Sequence, residues 1–336
     1  MDLGRGGLIA LPVTIKNNVM KKRPHIILKT AILFTGLLLF SCNMKDDLTY
    51  CPKQVRVHFT YNPQEVSIAH VDRMHLYVFN EEGRFISEFR DEQITRFDSG
   101  YYIDLPGLYP GAYRIVAWGG KDERDYTTSP APFEKGVTTF DEALLMLQHP
   151  GDAISALIHH LFHADLHITV DMGFARQLFY MPLVQLSNTI NISTVGLPAS
   201  DESYIFTITD NNCTYTFDRS FAKHTHTPFI YSASCSKDGN NQLRATLHVL
   251  RLDANRRTPK LEILSQTTTK TLFPADSKQS GDLIELILSA YKQNNFETTH
   301  TYDIVLTFTG DDSTGFKVTV TVNGWKVQNQ EDDLIE

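Results

Sequence analysis

The chain has 336 residues, 42% of them hydrophobic, and a formal net charge of −8 at pH 7. This acidic balance, with no basic stripe on any segment, argues against a nucleic-acid partner. The length allows one or two domains with buried cores, and the many Tyr, Phe, Val, Ile and Thr residues favour strands over helices.

A targeting signal is predicted close to the N-terminus. Three cations at 21–23 precede an uncharged, mostly apolar run from Thr30 to Phe40, which is the pattern of a secretory signal peptide. The run is shorter than the roughly 20 residues that a membrane-spanning helix needs. We therefore predict that residues 1–41 form a cleaved signal peptide, with Met20 as the true start of translation.

The predicted cleavage site carries a cysteine that we expect to be lipidated. Leu39-Phe40-Ser41-Cys42 resembles a bacterial lipobox, in which the cysteine thiol is acylated and becomes the new N-terminus. Each buried methylene contributes about 0.8 kcal/mol, so two or more acyl chains hold a protein on a membrane durably. Residues 42–52 would then be a lipidated, unpacked tether. Its Lys45-Asp46-Asp47 resembles the signal of surface-exposed lipoproteins of the Bacteroidetes. The alternative is an uncleaved signal anchor with a chance cysteine.

Residues 53–176 are predicted to form a first β-sandwich. Val55–Tyr61 alternates apolar and polar side chains, as a half-buried strand does. Asp72–Ile86 is predicted to be a hairpin with a glycine in its turn. In Tyr101–Gly120, two Pro-Gly turns lead into a strand, Ala112–Trp118, that is apolar on both faces. Such a strand belongs at the centre of a packed sandwich.

The remainder of this half contains four segments of different character. Lys121–Pro132 is charged and bounded by proline, so we expect a surface loop. Phe140–Gln148 is predicted to be a short helix, and Ile154–Leu161 to be another. Asp165–Val170 alternates again, as a strand does.

Residues 177–336 are predicted to form a second β-sandwich. Gln177–Ile192 is expected to be one long or broken strand that passes between the domains, and Asp282–Ser289 fits either a short helix or a strand. The chain should end in a hairpin over Tyr302–Val322. The other expected strands are Tyr204–Thr209, Thr214–Phe217, Phe229–Ser234, Gln242–Leu252 and Lys260–Thr267. The predicted fold class is therefore all-β, two sandwiches in tandem with a few short helices.

Three cysteines remain once Cys42 is assigned to lipid. An exported protein can oxidise its thiols. Cys213 and Cys235 flank segments that are expected to be neighbouring strands, so a Cys213–Cys235 disulfide is the first pairing to consider, with Cys51 left over. Sequence alone does not fix the connectivity, so the other pairings stay open.

A histidine cluster is the strongest candidate for a metal site. His159, His160, His163 and His167 fall within nine residues, and on a helix three of them would share one face at i, i+4 and i+8. However, the sequence contains no His-Glu-x-x-His motif, and the strand predicted at Asp165–Val170 would end such a helix. The pattern favours polar residues at a domain seam, and a metal bound by His159, His160 and His163 stays open as the alternative.

No catalytic or cofactor site is predicted. There is no Gly-x-Ser-x-Gly motif, and the cysteines lack the surroundings that mark a nucleophile. The placement of the Asp and Glu residues does not distinguish an acid/base pair from a solvated surface. Trp118-Gly119-Gly120 lacks the further glycines of a phosphate-binding loop. We therefore expect a protein that is not an enzyme.

Several stretches together carry a family resemblance. They are the lipobox with Asp46-Asp47, Cys51-Pro52, Val55–Thr60, Met74–Phe79, Leu105–Gly120 and Asn323-Gly324-Trp325. In these stretches the chain resembles the fimbrial anchor lipoproteins of Bacteroidales, the anchoring subunits of type V pili. The resemblance extends over nearly the whole mature chain, and Cys42 is the one matching residue with a chemical role.

This resemblance implies both an architecture and a function. The architecture is two transthyretin-like sandwiches held on the outer membrane by lipid on Cys42, exposed at the cell surface. The implied function is to hold the base of a fimbrium, to limit its length and to bind a pilin subunit by strand addition. The alternative is a surface lipoprotein whose loops bind glycan or a host protein.

Overall fold

The structure is a computed structural model. It describes residue 51 and residues 53–148, 153–155, 157–173, 176–197, 203–223, 227–237, 242–275, 279–311 and 315–327. The predicted signal peptide, Cys42 and the tether up to Tyr50 lie outside the described residues. Within those ranges, no helix has the length and the apolar character that a membrane span requires.

Strands dominate the described residues. One α-helix, α1 (Leu283–Ala290), and a short 3₁₀ turn, Ile68–His70, accompany them. The strands are β1 Lys53–Thr60, β2 Met74–Asn80, β3 Phe85–Asp91, β4 Tyr102–Leu108, β5 Gly111–Gly119, β6 Tyr126–Ser129, β7 Leu144–Leu147, β8 Ala153–Ile154, β9 Phe162–Val170, β10 Arg176–Pro182, β11 Val184–Gln185, β12 Ser187–Val195, β13 Tyr204–Asp210, β14 Thr214–Thr216, β15 Phe229–Ser234, β16 Ser236–Lys237, β17 Leu243–Leu250, β18 Lys260–Ser265, β19 Thr271–Phe273, β20 Thr301–Asp311, β21 Gly315–Val322 and β22 Trp325–Lys326.

The first sandwich packs a three-stranded sheet against a five-stranded one. Sheet A has the order β10-β1-β4, and sheet B has the order β11-β9-β5-β2-β3. In sheet A, β1 is the central strand, parallel to β10 and antiparallel to β4. Val55, Val57 and Phe59 of β1 are buried in the core between the sheets, which confirms the predicted alternation.

Strand β5 is buried on both faces, as its sequence predicts. Ile115 and Ala117 belong to the core between sheets A and B, whereas Val116 and Trp118 belong to a second core on the opposite face of sheet B. Burying one aliphatic side chain completely contributes roughly 1.5–3 kcal/mol. β5 therefore stabilises both cores and fixes them relative to each other.

The second core is formed by three more sheets. Sheet C has the order β14-β7-β6, sheet D β16-β17-β12-β20-β21-β22 and sheet E β19-β18-β13-β15-β8. Helix α1 contributes Leu283 and Ile284 to this core. It begins where the side chain of Asp282 accepts a hydrogen bond of 2.9 Å from the backbone N–H of Glu285, which satisfies one of the free N–H groups of the first turn. Of the two possibilities for Asp282–Ser289, the helix is confirmed.

Gln177–Ile192 was predicted to be one long or broken strand, and in the structure it is divided among β10, β11 and β12. The backbone N–H of Leu183 donates to Thr60, and that of Leu186 donates to Leu161, each at 2.7 Å. These bonds separate β10, β11 and β12, and the chain joins sheet D only at β12. The described strands belong to one compact unit, Thr49–Glu336, and the division into two domains near residue 176 stays a prediction.

Four local predictions for the first half are wrong. The first of the two predicted Pro-Gly turns, Pro106-Gly107, lies within β4, where the register with β1 shifts. Phe140–Gln148 contains a strand, β7, in place of the expected helix, and the described part of Ile154–Leu161 contains no helix either. Lys121–Pro132 is not simply a surface loop, because it contributes β6, where Tyr126 is buried. The reason is long-range pairing. β7 lies between β6 and β14, and β14 is almost 70 residues away from it in the chain, so no local pattern reveals this partner.

Candidate functional site

The candidate site begins with the free edge of β10. Among the described residues, β10 pairs with β1 on one side and with no strand on the other. Its seven residues carry one charge, Arg176, and one proline, Pro182, both at its ends. The backbone N–H and C=O groups of such an edge are open to pairing with a strand of another chain.

The other long edges in the described part of the chain are less open. β4 contains Pro106, which has no N–H to donate. β3 is covered by a loop, since Phe85 donates to Thr138 and accepts from Gly136, both at 2.8 Å. The remaining edge strands, β6, β8, β11, β14, β16, β19 and β22, have two to four residues each. β10 is therefore the edge best suited to accept a strand.

Beside this edge, sheet A presents aromatic side chains to solvent. Leu178 and Tyr180 of β10 are 53% and 62% exposed, and Tyr102 of β4 is 42% exposed. His58 of β1 lies opposite both tyrosines, with its ring centroid 5.6 Å from that of Tyr180 and 5.4 Å from that of Tyr102. We refer to these four residues and Arg56 as the docking face.

A salt bridge orders the other part of the docking face. Arg56 donates two hydrogen bonds, of 2.7 and 2.8 Å, to the carboxylate of Asp104, and its guanidinium carbon lies 3.4 Å from the centre of the Tyr102 ring. The hydrogen bonds from Arg56 hold the pKa of Asp104 below its usual value. Tyr and Arg are among the residue types that dominate binding energy at protein interfaces, and here Tyr102 is exposed while Arg56 is half-buried.

The predicted histidine cluster is dispersed by the fold. His163 lies on β9 and its Nε2 is 2.9 Å from the carbonyl oxygen of Phe217, while the Nδ1 of His159 is 2.7 Å from a carboxylate oxygen of Asp125. His167 is exposed on β9. Within the described ranges, no three His, Cys, Asp or Glu side chains are grouped as a metal ion requires, and no helix carries the proposed i, i+4, i+8 face.

His160 instead belongs to a stack of histidines that the sequence did not reveal. Its ring centroid lies 4.4 Å from that of His70 and 4.2 Å from that of His248. Burial and the neighbouring histidines lower the pKa of His160 to about 3. Burial also lowers the pKa of His248 and of His300. His160 and His248 are therefore neutral in the folded protein at physiological pH.

The first disulfide to consider, Cys213–Cys235, stays a prediction, and both thiols are free in the structure. Strands β13 and β15 do pair, as expected, but in the register Ile205 opposite Ser234 and Asp210 opposite Phe229. Cys213 therefore follows β13 at its Asp210 end, and Cys235 follows β15 at the opposite end of the strand pair, beside Ile205. A disulfide needs Cα atoms closer than about 7 Å.

The docking face was missed at the level of the sequence for a definable reason. The alternation of Leu178 and Tyr180 is visible in Gln177–Ile192, but it does not show which of its two faces meets solvent. Its partner strand β1 ends more than 110 residues earlier in the chain, and β4, which completes the face, ends 68 residues earlier. The predicted lipidation site, Cys42, lies outside the described residues.

A protein-family model matches most of the chain. Residues 48–331 match the Mfa2 family, described as fimbrillin-A associated anchor proteins Mfa1 and Mfa2. The chain belongs to this family. The matched range includes all the described strands. Membership in the Mfa2 family indicates a fimbrial role. A search among curated proteins found no match.

Solved structures confirm the all-β fold of this Mfa2 family member. The fimbrial anchor protein Mfa2 from Porphyromonas gingivalis has 22% sequence identity and a TM-score of 0.67, covering 83% of this chain and 100% of that one. A candidate polysaccharide-binding protein (DUF1812) from Bacteroides thetaiotaomicron has 20% identity and a TM-score of 0.65, covering 83% and 99%. A candidate adhesin from Bacteroides ovatus has 16% identity and a TM-score of 0.65, covering 82% and 95%.

Proposed function

We propose that this protein anchors a fimbrium to the outer membrane through lipid on Cys42, binds a pilin subunit by strand addition and limits the length of the fimbrium. It acts as a structural subunit rather than as an enzyme. Membership in the Mfa2 family supports the fimbrial role. The observation that carries the pilin contact is the free edge of β10 beside the exposed aromatic docking face.

Strand addition explains why edge and face would act together. A pilin strand that pairs with β10 gains main-chain hydrogen bonds, which are independent of sequence. Its side chains on the outer face would meet Leu178 and Tyr180, which are more than half exposed. Specificity for the pilin then comes from the docking face and affinity from the edge.

Lipid labelling in the native host tests the proposed membrane anchor at Cys42. We expect a fatty-acid analogue to label the protein and Cys42→Ala to abolish the label, because the thiol is the attachment point. Cys51→Ala is the matched control, since Cys51 is an exposed thiol nine residues later and its loss should leave labelling unchanged. An unlabelled wild-type protein would contradict the anchor.

Pull-down of pilin subunits with the mature chain tests the proposed pilin binding at β10 and the docking face. We expect the double variant Leu178→Lys/Tyr180→Lys to lose binding by about tenfold or more, because removing interface anchors typically costs over 1 kcal/mol each. Tyr291→Lys is the control, since Tyr291 is 45% exposed but lies at the end of α1. Full pilin binding by the double variant, or a deletion strain with fimbriae of normal length, would refute the proposal.

Glycan binding is the second candidate, favoured by the same exposed rings. Tyr102 and Tyr180 are large aromatic surfaces beside the fixed Arg56–Asp104 pair, and one protein of this fold is described as a candidate polysaccharide-binding protein. A glycan array separates the two functions. Binding on the array that is lost in Tyr180→Ala, together with intact pilin capture, would favour the glycan.

A further inference from the structure

The start of β1 lies beside two chain turns at one end of the first sandwich. In sheet A, Lys53 is paired with Leu108, and Gln54 with Arg176. In sheet B, Gly111 is paired with Val170. The β4–β5 turn and the β9–β10 turn therefore flank the point where the chain enters the sandwich, and both carry it from one sheet to the other.

Each of these turns exposes a large apolar side chain. Tyr109 in the β4–β5 turn is 57% exposed, and Met172 after β9 is 56% exposed. The Tyr109 turn is held in place, because the hydroxyl of Tyr113 donates a 3.0 Å hydrogen bond to the carbonyl oxygen of Tyr109. Two apolar side chains are thus presented together at the end from which the tether leaves.

The short segment between Cys42 and β1 limits how far this end of the sandwich can lie from the membrane. Ten residues, 43–52, separate Cys42 from Lys53, and they can span at most about 35 Å even when fully extended. With lipid on Cys42, the end that carries Tyr109 and Met172 is the part of the sandwich closest to the bilayer along the chain. Tyrosine side chains concentrate at the membrane–water interface, where the ring is buried and the hydroxyl stays wet.

We propose that Tyr109 and Met172 dock into the interfacial layer of the membrane that holds Cys42, so that the first sandwich rests on the bilayer. This inference rests on the proposed lipid anchor. The contact that we propose is apolar, because the charged side chains exposed at this end are of both signs. Glu81 and Glu82 follow β2, where Asn80 pairs with Tyr113, and Arg176 begins β10. The test therefore uses a lipid without net charge.

Brominated lipids, which quench tryptophan fluorescence at close range, test the contact. The lipidated mature chain is reconstituted in phosphatidylcholine vesicles as the variant Tyr109→Trp/Trp325→Phe, with the wild-type chain as its matched control. Each then has one exposed tryptophan, at 109 or at 325, beside the buried Trp118. We expect brominated lipid to quench and vesicles to blue-shift the emission at position 109, and to leave position 325 unchanged.

The outcomes separate this inference from the lipid anchor. A chain that is recovered without lipid and does not associate with vesicles refutes the anchor and the docking together. A chain on vesicles whose position 109 is no more quenched than position 325 refutes the docking alone. Hydrogen exchange on the wild-type chain gives a second measurement free of substitutions, and unchanged exchange around Tyr109 with and without vesicles would also overturn the docking.

Discussion

At the scale of single residues, glycines with the same backbone conformation have different reasons to be glycine. Gly120 follows β5 with φ +67, and a Cβ there would lie 1.9 Å from the carbonyl oxygen of His160. Gly136 has φ +75, but no atom lies within 4 Å of the position of its Cβ. Only the first position combines the left-handed conformation with a close approach of two backbones.

These two glycines form a matched pair for a stability test. We expect Gly136→Ala to lower the free energy of unfolding by about 1 kcal/mol, the cost of a left-handed alanine. Gly120→Ala should cost roughly 3 kcal/mol or more, because the clash with backbone adds strain to that cost. Urea denaturation of both variants measures the difference, and equal losses would show that the His160 segment moves aside freely.

At the scale of elements, the sequence predicted strands wherever alternation was clear. β1, β2 and β5 were identified from their own patterns, and the burial of β5 on both faces followed from its two apolar faces. Of sheet C, β14 was predicted, but β6 and β7 were missed because four residues each show too little of a period to separate a strand from a loop or a helix. Their stability comes from tertiary pairing, which local preferences do not encode.

The candidate site shows the same limit. The sequence predicted that Gln177–Ile192 contains a strand. Whether that strand can bind a partner depends on its lying at the edge of a sheet, as β10 does. Whether a strand is central or at an edge depends on its neighbours, and the neighbours of β10 are set by the fold rather than by adjacent residues. His160 was noticed for its spacing, while its stacking partners His70 and His248 lie 90 and 88 residues away.

At the scale of the whole molecule, the histidine stack links the first sandwich to sheet D. His70 follows β1 in the first sandwich, His160 precedes β9, and His248 lies on β17 of sheet D. The folded-state pKa of His160, about 3, is below the unfolded value of about 6.5. The unfolded chain therefore binds a proton below pH 6.5 that the folded chain does not, and stability falls as the pH falls from 6.5 toward 3.

We expect acid to weaken the protein by up to about 1.4 kcal/mol per pH unit for each such group, and His160→Gln to reduce that slope. Urea denaturation at pH 7.5 and pH 5 measures it. His167→Gln is the control, because His167 is exposed on β9 outside the stack. If His160→Gln has the same slope as the parent chain, the stack does not govern the acid response.

The central place of β1 in sheet A also has a mechanical meaning. β1 is bonded along its length to β4 on one side and to β10 on the other, and it is the first strand after the tether. If Cys42 carries the proposed lipid, a pull along the axis of this strand would load both ladders in shear, and their hydrogen bonds would resist together. A strand at the rim of the sheet would share the same drag from flowing liquid over one ladder instead of two.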